Sequence, residues 1–158
     1  MAYNHENLIV GCGNILFKDD GFGPEVINYM KENNIQLPGD TCLIDGATSA
    51  PHYIFTLPED KWKNIIIIDI AQLDTKPGTL AVLDLGDVKE EDRYMDVHGV
   101  SVTYPLHDLE DKVNIKLVVC QPECVLLEME MGLTDVLSDK IPECVDLTMK
   151  VLDEMLSK

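Results

Sequence analysis

The sequence predicts an α/β fold: three layers, with a twisted, mostly parallel sheet of about five strands and helices on both faces. Three observations predict it. Short apolar runs alternate along the chain with segments of helical period. One of those runs, Ile65 to Ile68, is four isoleucines in a row, which suits a central strand buried on both faces rather than one with a solvent side. Acids and glycines follow the runs at their carboxyl ends, where open α/β sheets hold their ligands. At 158 residues, 46% of them hydrophobic, the chain is long enough for one well-buried core and short for two, so a single domain over residues 1–158 is expected.

The elements follow in order. Leu8, Ile9 and Val10 form the first strand, and Gly11, Cys12 and Gly13 force a tight turn after it. An apolar hook comes next (Ile15, Leu16, Phe17), then two adjacent carboxylates, Asp19 and Asp20, flanked by Gly21 and Gly23. Pro24 opens a helix to Asn33 that places Val26, Ile27 and Met30 on one face. Thr41 to Asp45 is a second strand ending in an acid, and Pro51 leads a helix through His52, Tyr53, Phe55 and Leu57. Asn64 to Asp69 is the central strand, with Asp69 at its end. Pro77 and Gly78 set a turn before a strand within Lys76 to Gly86, a candidate edge strand. Asp87 to Asp96 is highly charged and expected to be a mobile, solvated loop, followed by His98. Ile115 to Cys120 is a further strand, broken by Gln121 and Pro122. Gly132 to Pro142 reads as a loop and turn. Pro142 then opens a final helix whose buried face carries Val145, Met149, Leu152 and Leu156.

Charge excludes several function classes. A formal net charge of −17 argues against nucleic acid and anionic membrane surfaces, both of which bind through Lys and Arg. MAYNHEN is polar and runs straight into a strand, and no apolar run approaches a membrane span, so the expected location is the cytoplasm. The five cysteines are scattered, and CQPEC lacks a second pair to complete a zinc site, which fits reduced thiols packed as small apolar residues.

Three readings compete for the loop after the first strand. A dinucleotide fingerprint needs GxGxxG, but the third position is Leu16 and two negative charges follow that would repel a pyrophosphate. Capping of the next helix by Asp19 or Asp20 accounts for one acid and not for the glycines on both sides. The third reading is a cation site at the carboxyl ends of the strands. Asp20, Asp45, Asp69 and His98 supply oxygen and nitrogen donors suited to a borderline divalent cation such as nickel or zinc. Spacing alone leaves open whether they converge.

GCGNILFKDDGFG closely resembles the signature of the hydrogenase maturation endopeptidases: a glycine-bounded GxGN, an apolar step, paired acids and Gly-x-Gly. IDGAT, IIIIDIA, VHGVS, QPECV and GLTDV resemble that family's later elements in the same order, so the resemblance covers nearly the whole chain. It implies an aspartyl-type endopeptidase that removes the C-terminal extension of a nickel-iron hydrogenase large-subunit precursor once nickel has been inserted. It also implies that Asp20, Asp69 and His98 are both the catalytic set and the nickel-contacting set. No permanent cofactor is expected; the nickel is the precursor's own and is contacted transiently. His107 is a rival imidazole, and Asp19 and Asp45 are secondary candidates that orient the site or cap helices. SVTYPLHDLED and CQPECV look most like the branch serving hydrogenases that reduce the deazaflavin coenzyme F420. The expected partner is therefore a large-subunit precursor, with no nucleic acid and no membrane, and the oligomeric state is open. The alternative is a maturation factor that binds nickel or precursor without cutting.

Overall fold

The computed structural model describes residues 6–47, 62–84, 113–126 and 128–157. Strands β1 (Asn7–Cys12), β2 (Thr41–Ala47), β3 (Asn64–Ile70), β4 (Leu80–Asp84) and β5 (Asn114–Cys120) form one sheet in the order β2-β1-β3-β5-β4. Every pairing is parallel except β4 with β5, so the sheet is mixed and mostly parallel, with β4 as its antiparallel edge. The edge strand expected between Lys76 and Gly86 is this β4.

The isoleucine run explains the centre of the sheet. Ile65, Ile66, Ile67 and Ile68 are all fully buried. Because successive side chains of a strand point to opposite faces, Ile65 and Ile67 join one core cluster and Ile66 and Ile68 the other. Each such side chain contributes about 1.5–3 kcal/mol on leaving water. At the amino end of the same strands, Asn7, Asn64 and Asn114 stand opposite one another in register. Asn64 donates to Asn7 at 2.7 Å and Asn114 donates to Asn64 at 3.4 Å. Slipping any of these three strands would break that row, so the asparagines hold the register that the isoleucines alone leave interchangeable.

Helix α1 (Phe22–Glu32) begins two residues before the expected start, with Pro24 inside its first turn, and buries Val26, Ile27 and Met30 as its spacing predicts. Two helices close the chain, α2 (Asp135–Asp139) and α3 (Ile141–Leu156). The stretch Gly132 to Pro142, expected as loop and turn, thus contains a short helix. Its apolar content is small, with only Leu137 buried, and this weak pattern is why periodicity missed it. The face of α3 also differs from expectation. Val145 and Leu152 are buried, but Leu156 is exposed and Met149 lies at the margin; Ile141, Cys144, Thr148, Val151 and Met155 complete the inner stripe. Counting in steps of four and three from Val145 tracked one border of the stripe rather than its centre.

Helices α1 and α3 pack on one face of the sheet with Ile9, Ile66, Ile68 and Val118. Leu8, Val10, Ile65, Ile67, Leu117 and Val119 on the other face are also buried. The helix expected to start at Pro51, and the charged loop from Asp87, lie outside the described residues. Among the described residues, no helix is long and apolar enough to cross a membrane.

Candidate functional site

The chain leaves β1 by reversing over itself. Gly13 has φ 131°, and a Cβ there would strike the carbonyl oxygen of Asp20. Only glycine lets the turn lie this close. The folded-back segment is a 3₁₀ turn, Lys18–Gly21, that hands directly into α1. A second contact fixes the helix: a Cβ on Gly23 would collide with the backbone of Cys12 and with the carbonyl oxygen of Ile68. The amino end of α1 therefore rests on the ends of β1 and β3 at once.

This is the switch point of the sheet. The chain goes from β1 to β2 on one side, then returns past β1 to place β3 on the other. A crevice outside the carboxyl ends of the strands forms where the order reverses. Asp20 lies there, 5% exposed, with Oδ2 accepting the N–H of Asn14 at 3.0 Å. Asn14 in turn accepts the N–H of Leu16 through Oδ1 at 2.9 Å, which shapes the apolar hook. Asp69 follows Ile68, the residue paired with Gly11, and is half-buried, with Oδ1 accepting the N–H of Ile70 at 2.8 Å. Asp45 is exposed, two residues before the end of β2 and also opposite Gly11.

The thiol of Cys12 feels these acids. Burial pushes its pKa well above the ordinary thiol range, and the negative charges of Asp69, Asp45 and Asp20, in that order, push it further. Three carboxylates carried by separate elements thus act electrostatically on one buried residue at the end of β1. Among the described residues, no three His, Cys, Asp or Glu side chains form a set able to hold a metal ion by themselves. His98, the expected imidazole, and its rival His107 lie outside the described residues.

Asp19 has a different role from the one its neighbour suggests. It is fully buried, and its Oδ2 accepts the N–H groups of Glu123 and Cys124, both at 2.9 Å. Its Oδ1 accepts the N–H of Thr134 at 2.8 Å, and the Thr134 hydroxyl donates to the carboxylate at 3.0 Å. Thr134 is the N-cap residue of α2. Neither Asp19 nor Asp20 caps α1, whose N-cap is Gly21 with no side-chain hydrogen bond. The capping expectation fails because the 3₁₀ turn points Asp19 at the segment after β5 and Asp20 at Asn14.

Sequence reasoning missed Gln121 as well as Thr134. Gln121 is buried; its Oε1 accepts the N–H of Leu73 at 2.6 Å and its backbone N–H donates to Thr79 at 2.9 Å, so it ties the exits of β3 and β5 to the start of β4. Its place directly after an apolar run marked only a strand end.

Comparison with known proteins gives a consistent result. The HycI family of hydrogenase maturation proteases matches residues 24–151. Coenzyme F420 hydrogenase subunit delta of Methanothermobacter thermautotrophicus is 39% identical over 158 residues, covering 98% of both chains, and so takes in the glycine and aspartate loop as well. Hydrogenase expression/formation protein HupD of Bradyrhizobium diazoefficiens is 27% identical over 93% of this chain and 78% of its own. Among solved structures, the hydrogenase maturating endopeptidase HybD of E. coli superposes with a TM-score of 0.73 at 22% identity, covering 94% of this chain and 93% of that one. The α/β architecture is therefore shared, and the match to the family spans most of the sequence. The chain belongs to the hydrogenase maturation protease family and is a peptidase.

Proposed function

We propose that this peptidase removes the C-terminal extension of a nickel-iron hydrogenase large-subunit precursor after nickel insertion, and that it reads the precursor's own nickel through Asp20, Asp69 and His98. The likeness to an F420 hydrogenase subunit supports the large subunit of an F420-reducing hydrogenase as the substrate. The observation that supports the reading is that α1 is seated on the ends of β1 and β3, which brings the segment carrying Asp20 to the strand end that carries Asp69.

The electrostatics favour a cation in the substrate. Asp20, Asp45 and Asp69 bring three negative charges to the same end of the sheet, and a divalent ion presented by the precursor offsets their mutual repulsion. An unloaded precursor brings no such ion and gains nothing from the three acids. Asp20 and Asp69 offer oxygen donors and His98 a nitrogen donor, a set suited to nickel. Held between precursor and peptidase, the nickel fixes the adjoining backbone against the site, which is the positioning that a template metal supplies. The metal belongs to the substrate, so the peptidase holds no permanent cofactor, and the reaction takes place in the cytoplasm.

The test is mass spectrometry of the cognate precursor incubated with the protein, with and without nickel loading. Loss of a C-terminal peptide only from the loaded form is expected from the wild type, and no loss from Asp20→Asn, Asp69→Asn or His98→Ala. No cleavage of a demonstrably loaded precursor overturns the reading in favour of a factor that binds without cutting.

A further inference from the structure

Beside the site lies an apolar surface that the peptide chemistry does not use. The segment around Glu130 pairs in parallel with the hook that precedes Asp20: the N–H of Glu130 donates to Leu16 at 2.7 Å, and the N–H of Lys18 donates to Glu130 at 2.8 Å. The Lys18 ammonium and the Glu130 carboxylate add an ion pair at 3.2 Å. This pairing holds Met129 and Met131 in place, yet they are 68% and 65% exposed, and Ile15 on the hook is 38% exposed. Adjacent side chains of an extended segment alternate, so the two methionines share the side opposite Glu130.

We propose that Met129 and Met131 form the docking lip for the precursor polypeptide, receiving apolar residues close to its cleavage point. This rests on the function proposed above. Continuity with the site argues for that occupant. The paired hook runs from Ile15 to Lys18 and leads directly into Asp19 and Asp20, so the lip is tied to the backbone two residues from Asp20. The chemistry also fits: methionine is unbranched and adaptable, a side chain suited to gripping an apolar segment without a rigid pocket. The surrounding charge of −17 in the whole chain disfavours an acidic partner and leaves a neutral or basic one.

The experiment compares steady-state processing of nickel-loaded precursor by the wild type, by Met129→Ser with Met131→Ser, and by Met129→Leu with Met131→Leu. The serine pair is expected to raise KM about ten-fold, with kcat within about two-fold because Asp20 and Asp69 are untouched. The leucine pair keeps the apolar surface and restores KM. A wild-type KM in the serine pair, or a raised KM that leucine fails to restore, overturns the docking lip while the peptidase reading stands. Absence of processing by the wild type overturns both.

Discussion

Replacing Asp19 by alanine removes the acceptor of three backbone N–H groups from a fully buried position and leaves Asp20 in place. Each donor left without its charged partner costs about 1–3 kcal/mol, so three give roughly 3–9 kcal/mol. Glu123 is exposed and Cys124 and Thr134 are half-buried, so water reaches part of the vacated space and the lower end applies, about 4 kcal/mol. For a chain of this size that corresponds to a fall of roughly 10 °C in Tm. Guanidinium unfolding with an unchanged slope gives the loss in stability, and hydrogen exchange locates it. The amides of Glu123, Cys124 and Thr134 are expected to lose protection first, ahead of β1 and β3. Asp19→Asn keeps one acceptor but turns an amino group toward an N–H donor, so its loss is smaller, about 2 kcal/mol. A loss under about 1 kcal/mol in the alanine variant, or unchanged exchange at these three amides, would refute the view that Asp19 pins the segment after β5.

Gly23→Ala drives a Cβ into the backbone of Cys12 and the carbonyl of Ile68, neither of which a rotamer change relieves; about 3 kcal/mol or more of destabilisation is expected by thermal unfolding. Burial raises the thiols of Cys120 and Cys144 from the ordinary value of 9.0 to about 12. The fold prefers the neutral thiol, so the unfolded chain gives up its proton first, and stability is expected to fall as pH rises from about 9 toward 12. For the same reason Cys12, Cys120 and Cys144 are expected to resist alkylation at pH near 8 until the protein unfolds, while the half-buried Cys124 reacts in the native state; mass mapping of alkylated peptides checks this. His98→Ala is expected to lower processing at least about 100-fold while His107→Ala retains most of it, and the reverse result would move the imidazole role to His107.

The parallel strands were readable because a doubly buried strand needs an unbroken apolar run, and Ile65 to Ile68 can be little else. Asp20, Asp45 and Asp69 were readable as acids near the carboxyl ends of such runs, while spacing alone left their convergence open. What escaped was long-range and polar. Asp19 finds its partners more than one hundred positions away, at Glu123, Cys124 and Thr134. No local pattern encodes that meeting, and proximity to a helix start pointed to a cap instead. The asparagine row is similar: Asn7, Asn64 and Asn114 look like ordinary strand-bounding residues until the register sets them side by side. The short helix α2 escaped because five residues with one buried side chain carry too little periodicity to register.

The seating of Gly23 on β1 and β3 together has a consequence for when the peptidase comes into being. Asp20 and Asp69 are far apart in sequence, and the strands β1 and β3 that precede and carry them pair in parallel, a slow, non-local step of folding. The helix cannot settle until both strand ends are present to receive it. A chain still emerging from the ribosome, or one caught half-assembled, thus carries both acids without the crevice that the seated helix forms. The crevice at the amino end of α1 is therefore a product of the finished sheet and of no local segment of the chain.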